Sequence, residues 1–315
     1  MSSAAMAAGA MSTVWRPGRP VPLSSILGPL RRGSGDATYA VRDGRLWRGL
    51  RTPEGAATLA LRARPATGEV EATCWGQGAE WTIARVPAML GAEDDPGDFR
   101  PAHPVLAAVH RHHVHWRVPR SGLVFEALVA AALEQKVTGR EAWTGWRRLV
   151  RRHGEPAPGP GGDLGVRVLP APEVMRRIPS WEWLAMHVDG ARSRVVVRAA
   201  QLAESLQRTL DVDCATAERR LRSVPGVGVW TAAEVRQRAH GDADAVSFGD
   251  YHIPSSIGHA LVGRAVDDAE LAELLAPYAP HRYRVQRLVE LAGVRVERHG
   301  ARMAPRRHLP GSRRW

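Results

Sequence analysis

The rhythm of hydrophobic and polar positions changes twice along the chain. Through residues 1–35 it is Ala, Gly, Pro and Arg without a period, which predicts a disordered leader. From Ala37 the pattern alternates. Arg45-Leu46-Trp47-Arg48-Gly49-Leu50 is followed by a turn at Thr52-Pro53-Glu54-Gly55. Leu59-Ala60-Leu61-Arg62 is followed by a turn over residues 65–68, and a third run spans 70–75. Alternation broken by Pro and Gly predicts an antiparallel sheet with one solvated face. A short helix over 80–90 closes at Gly91.

Past the acidic stretch 93–98 the spacing becomes helical. Val124, Leu128, Ala131 and Ala132 predict one buried stripe. Thr138-Gly139-Arg140-Glu141 has capping-box spacing and opens a helix toward Arg151. Residues 156–162, rich in Pro and Gly, predict a flexible loop. Further helices are expected over 173–178, 181–187, 191–206, 215–223, 230–239, 253–261, 268–276 and 281–291. The fold class is α+β: an N-terminal antiparallel sheet domain over 36–103, then an all-α domain of two subdomains over 104–293. Residues 294–315 are basic and aperiodic, a disordered tail that adds nonspecific affinity for a polyanion or has no role.

Composition narrows the classes. The 315 residues are 44% hydrophobic, but no apolar run approaches the ~20 residues of a membrane span. The N-terminus lacks a charged-then-apolar secretory order, so a cytoplasmic protein is expected. Cys74 and Cys214 alone build no disulfide framework, zinc site or four-cysteine cluster. The net charge is +12, carried by Arg everywhere except Lys136. Such a surplus suits a polyanion, although an Arg-rich, Ala-rich chain is also what a GC-rich genome encodes. The run His110-Arg111-His112-His113-Val114-His115 has no matching ligand pair elsewhere and reads as a solvated basic turn rather than a metal site.

The most informative stretch is Leu221-Arg222-Ser223-Val224-Pro225-Gly226-Val227-Gly228-Val229-Trp230-Thr231-Ala232-Ala233. A helix ends, Pro225 fixes a turn, two glycines permit close approach or positive φ, and a second helix starts at once. Unpaired N–H groups at that helix start can grip a phosphate without reading sequence. Any tight helix corner can use Pro-Gly-x-Gly; the longer pattern is more specific.

With Glu134-Gln135-Lys136-Val137-Thr138 and Ser247-Phe248-Gly249-Asp250-Tyr251, the hairpin carries a resemblance to the helix-hairpin-helix DNA glycosylase superfamily. Within it the chain is similar to the 3-methyladenine DNA glycosylase II (AlkA) family, from about residue 37 to 293. The resemblance implies an enzyme of base-excision repair that flips a damaged, alkylated purine out of duplex DNA and hydrolyses its N-glycosidic bond, working as a monomer. It makes Asp250, 22 residues beyond Gly228, the catalytic carboxylate. It places Pro225, Gly226, Val227, Gly228, Thr231, Gln135 and Lys136 against DNA, with Gln135 and Lys136 where the family inserts a wedge. No cofactor is required, although main-chain carbonyls of Arg222, Val224 and Val227 are implied as holders of an alkali cation, Na⁺ or K⁺.

A fixed carboxylate stabilises the positive charge that builds on the sugar as the bond breaks, and can orient or deprotonate water. Asp250 can equally be the N-cap of the helix holding Ile253 and Pro254, and both roles can hold together. Bifunctional members of the superfamily carry an imine-forming Lys two places after the second hairpin glycine. That place is Trp230 here, so a monofunctional hydrolase is expected.

Trp230 can stack on the flipped base or pack behind the hairpin; Phe248 and Tyr251 can line the base pocket or be buried. Three positions depart from the family pattern. Lys136 stands where an apolar residue is usual, and either plugs the gap or is a solvated lysine. Glu234 and Glu290 replace pocket aromatics, and either hydrogen-bond a base edge or point to solvent. Two other readings remain: a noncatalytic DNA-binding protein built on the same hairpin, and a glycosylase for other damaged bases.

Overall fold

A computed structural model of the chain describes residues 9–293. Five strands form one antiparallel sheet: β1 (Met11–Trp15), β2 (Tyr39–Arg42), β3 (Arg45–Thr52), β4 (Gly55–Arg64) and β5 (Glu69–Trp75), in the order β1-β5-β4-β3-β2. The β2–β3 turn is Asp43-Gly44, both at positive φ (52° and 69°), the conformation a tight hairpin asks for. Helix α1 (Leu23–Leu27) and α2 (Ala79–Met89) cover one face with Ile26, Leu27, Val86 and Leu90.

Much of the predicted disordered leader is ordered. Residues 11–15 pair with β5, from Met11 opposite Cys74 to Trp15 opposite Val70. Val21, Ile26, Leu27 and Leu30 are buried in the core of the sheet domain. Asp36 ties this segment down: it accepts from the Arg32 N–H (2.8 Å), the Thr38 N–H (2.9 Å) and the Trp146 indole (2.9 Å). A few apolar anchors spread among Pro and Gly show no period, yet each is buried. Residues 1–8 and the basic tail 294–315 lie outside the described residues.

The expectation of one solvated sheet face also needs correction. The stretch predicted as a flexible Pro-Gly loop is docked there as β6 (Glu155–Pro156), α6 (Pro160–Asp163) and β7 (Arg167–Val168). Ala157, Val166 and Val168 pack on Trp47, Ala60 and Trp75, with the two indoles stacked at 5.7 Å. Glycine makes this approach possible: a Cβ on Gly49 would stand 2.2 Å from the Arg167 carbonyl.

Between sheet and ribbon lie α3 (Pro104–His112), α4 (Val124–Glu134) and α5 (Gly139–His153). After the ribbon come α7 (Pro172–Met175), α8 (Ser180–Ala185), α9 (Gly190–Gln201), α10 (Ala203–Gln207), α11 (Cys214–Arg222), α12 (Val229–Val235), α13 (Ile253–Val262), α14 (Asp268–Leu275) and α15 (Arg282–Ala292). The predicted helix over 191–206 breaks at Leu202, and the one over 230–239 continues past α12 as a π turn over Arg236–His240. Helix α3 was not anticipated. The histidine run closes it, and His110 packs edge-on against Phe99.

Helix α4 buries every residue but Glu134, so the predicted stripe is a whole circumference. It is the axis of one helical core, packed by Trp146, Trp183, Val196 and Ala232. A second core joins α3, α13, α14 and α15 through Leu106, Ile257, Leu271 and Leu288. The Thr138 capping box at the head of α5 is formed. Charge crosses the domain seam twice in buried pairs, Arg48 with Glu126 and Arg284 with Asp94 at 2.6 Å. No helix among the described residues is long and apolar enough to cross a membrane.

Burial pushes the His240 imidazole down to about 4, with its Nε2 2.9 Å from Thr209 Oγ1. The unfolded side chain titrates near 6.5, so below that pH the unfolded state takes up the proton first. Stability is therefore whole above about pH 6.5 and is lost progressively as pH falls toward about 4, by about 3 kcal/mol from this residue. Urea unfolding at several pH values should show that loss in the wild type and a shallower one in His240→Gln. Identical slopes would contradict it.

Candidate active site

The hairpin joins α11 to α12. Gly226 has φ +91°, and a Cβ there would stand 2.5 Å from Val195 Cγ2, so both backbone angle and contact demand glycine. The Val227 N–H donates to the Val224 carbonyl (3.0 Å) and closes the turn. Val224 and Val227 are buried, while Pro225, Gly226 and Gly228 stand exposed. Gly228 leads directly into α12, whose first-turn N–H groups precede any intrahelical partner.

Asp250 stands at the mouth of α13. Its Oδ1 accepts from the N–H groups of His252 (2.7 Å) and Ile253 (3.0 Å). Its Oδ2 accepts from Trp230 Nε1 (3.0 Å). The capping geometry is therefore present, and a negative side chain there is favoured by the α13 dipole. A carboxylate offers about four lone-pair sites; three donors leave it oriented but not saturated. Trp230 is half-buried, with its indole edge turned to Asp250.

The loop before Asp250 is held from several sides. The Ser247 hydroxyl, fully buried, donates to Glu234 Oε1 (2.7 Å) and accepts from Gln237 Nε2 (2.8 Å) and Gln286 Nε2 (3.2 Å). The Ser247 N–H donates to Gln286 Oε1 (3.1 Å). Gly249, at φ +83°, donates its N–H to Asp268 Oδ2 (2.9 Å).

Glu234, Thr231, Gln135 and Tyr251 sit otherwise than the sequence implied, while Glu290, Lys136 and Phe248 take the plainer of the two positions open to them. Glu234 faces neither a base edge nor solvent: it is buried, with Oε1 on Ser247 and Oε2 2.7 Å from Arg238. Burial pushes its carboxyl upward and the Glu134 charge adds to that, while the Arg238 pair opposes it. Against the cost of its own burial, Arg238 is held above its ordinary value by Glu234. Glu290 is exposed, the solvent-facing alternative, and accepts from Arg287 (2.6 Å) and Gln286 (3.2 Å) on its own helix. Thr231 is buried, its hydroxyl accepting from Gln135 Nε2 at 2.9 Å. The same Gln135 amide donates to the Gly226 carbonyl at 2.9 Å, so Gln135 braces the hairpin instead of projecting as a wedge. Lys136 is exposed at φ +52°, a left-handed corner. Tyr251 is 89% exposed and Phe248 packs on the second helical core.

Ser247, in the Ser247–Tyr251 motif, has a role that no local spacing announces. Two of these contacts have a spacing readable in the sequence, Glu234 with Arg238 and Gln286 with Glu290, each at i and i+4; Gln237 has none. Among the described residues no cluster of three or more His, Cys, Asp or Glu side chains is placed to hold a metal ion.

No family model matches the chain. It is 30% identical over 256 residues to a protein of Mycobacterium tuberculosis named probable bifunctional transcriptional activator/DNA repair enzyme AlkA, found in two strains. The match covers 79% of this chain and 50% of that protein, so the chain spans about half the length of the curated relatives it matches. Among solved structures, a 3-methyladenine DNA glycosylase from Archaeoglobus fulgidus superposes with TM-score 0.72 at 15% identity, over 89% of this chain and 98% of that one. An 8-oxoguanine glycosylase/lyase from Clostridium acetobutylicum gives 0.66 at 11% identity, over 89% and 96%. Sheet, helices and hairpin thus form the helix-hairpin-helix DNA glycosylase fold. In sequence the chain is similar to the AlkA-named protein, and in fold to these glycosylases.

Removing the Gln135 amide should loosen the hairpin. Each lost hydrogen bond is worth about 1 kcal/mol, so Gln135→Ala should lower urea-unfolding stability by roughly 1–2 kcal/mol. An unchanged midpoint would show that the brace contributes nothing.

Proposed function

We propose that the chain is a monofunctional DNA glycosylase of base-excision repair, hydrolysing the N-glycosidic bond of a damaged base flipped out of duplex DNA. One observation carries this: a carboxylate held by three donors at a helix mouth, joined through Trp230 to the helix that starts at the glycine hairpin. The fold and the AlkA relative support it. Alkylated purines of the 3-methyladenine kind are the substrate class, since such a base already leaves as a cation and needs no strong general acid.

The chemistry follows from placement. DNA phosphates dock on the N–H groups of the exposed Gly226 and Gly228, and the Arg surplus adds sequence-independent attraction. As the C–N bond lengthens, its electron pair leaves with the base and positive charge develops on the sugar. Asp250 meets that charge without reorganising, because its oxygens are already fixed. Water then adds to the anomeric carbon and gives up its proton, with Asp250 the adjacent acceptor. No lysine stands at Trp230's place to form an imine, and Lys136 lies on the corner after α4.

The main-chain oxygens of Arg222, Val224 and Val227 are neutral hard donors of the kind an alkali cation takes. Val224 keeps a second lone pair beside its bond from Val227, so the turn fits a structural Na⁺ or K⁺ that would stiffen it. We place the protein in the cytoplasm, on the nucleoid, acting as a monomer.

The test is base release from methylated duplex DNA. Asp250→Asn should abolish release while duplex binding persists. Trp230→Phe, which keeps the ring but removes the donor, should slow release about ten- to hundredfold, the worth of a hydrogen bond to a charged group. Duplex binding without release from any of a panel of lesions, alkylated, oxidised or deaminated, would instead make the protein a noncatalytic binder.

A further inference from the structure

We propose that Glu234 is a positioning residue for the reaction, acting on Asp250 through the Ser247 hydroxyl. This rests on the reading of Asp250 as the reacting carboxylate.

Ser247 is caught from both helical cores. From the hairpin side come Glu234, on the turn of α12 after Trp230, and Gln237 on the π turn that follows. From the other side comes Gln286 on α15, bonding both the hydroxyl and the N–H of Ser247. Gln237 Nε2 also reaches the Ala245 carbonyl (2.7 Å). The Ser247 carbonyl in turn accepts from the Asp250 N–H (3.2 Å), so the clamp is one turn from the reacting group.

The charges explain why the hub is a hydroxyl facing a carboxylate. Two amide N–H donors point at the Ser247 oxygen, which leaves its proton free to go in one direction only, toward Glu234. Glu234 Oε1 accepts in that direction, and its other oxygen is paired with Arg238 at 2.7 Å. With hydrogen-bond polarity set throughout, the loop has one arrangement. Arg238 also donates to the Glu234 carbonyl (2.9 Å), locking the pair to α12. Asp250 is therefore referenced to the same helix that carries Trp230 and starts at the hairpin. A helix that grips the phosphate thus also sets where the carboxylate stands.

The experiment is single-turnover release from methylated duplex at saturating enzyme, with the Kd for that duplex measured alongside. Ser247→Ala should slow release at least tenfold with Kd within twofold of wild type. Glu234→Gln, whose amide oxygen can still accept the Ser247 proton, should lose less. The double variant should be no slower than Ser247→Ala alone, because both changes break one path. Should Ser247→Ala fail to fold, Gln286→Met withdraws two bonds from the same loop and should show the same split between rate and affinity. Wild-type rates in Ser247→Ala and Gln286→Met, or losses that simply add in the double variant, would overturn the proposal. If the wild type releases no base, or Asp250→Asn releases it as well as wild type, the underlying reading fails instead, whatever the clamp variants do.

Discussion

One carboxylate caught between a helix mouth and an indole organises this protein. Asp250 cannot hold both sets of donors unless α12 and α13 keep a fixed relation. The two helices belong to different cores, one built around α4 and the other around α3, α13, α14 and α15. The buried loop between them supplies the missing constraint, and its polar groups are paired in the low-dielectric interior where an unpaired one would be costly. The sheet domain serves the same end from outside. Through Asp36 and Trp146 it braces α5, and through Arg48 and Glu126 it meets α4.

The hairpin and the carboxylate were legible in the sequence because their chemistry is local. Pro225, two glycines and a helix start occupy consecutive positions, and the backbone can be read from them directly. The capping box at Thr138 and the three central strands were readable for the same reason. What escaped was nonlocal. Ile26 and Leu30 carry no period, and their burial depends on a sheet face they do not help to form. The Pro-Gly ribbon over Trp47 and Trp75 looked like a loop because its own residues are small.

Glu234, more than the exposed Glu290, marks the limit of reading a site from a family pattern. Their positions matched those of pocket aromatics, yet one is paired inside the protein with Ser247 and Arg238 and the other with its own helix. A carboxylate in a helix can turn toward a partner thirteen residues away, and neither spacing nor charge announces that choice. Gln135 shows the same thing in reverse: a predicted wedge is a brace, because the hairpin carbonyl of Gly226 lies within reach of its amide.

The central claim is that Asp250 stands ready to meet a cationic sugar. The direct measurement is a crystal structure of the protein bound to duplex DNA carrying a pyrrolidine abasic analogue, whose ring nitrogen is positive where the sugar would be. A carboxylate oxygen of Asp250 about 3 Å from that nitrogen, at charge-assisted hydrogen-bond distance, with the indole of Trp230 still donating to it, is the result expected. An analogue lodged elsewhere, or met by a different acid while Asp250 remains turned into α13, would contradict the account.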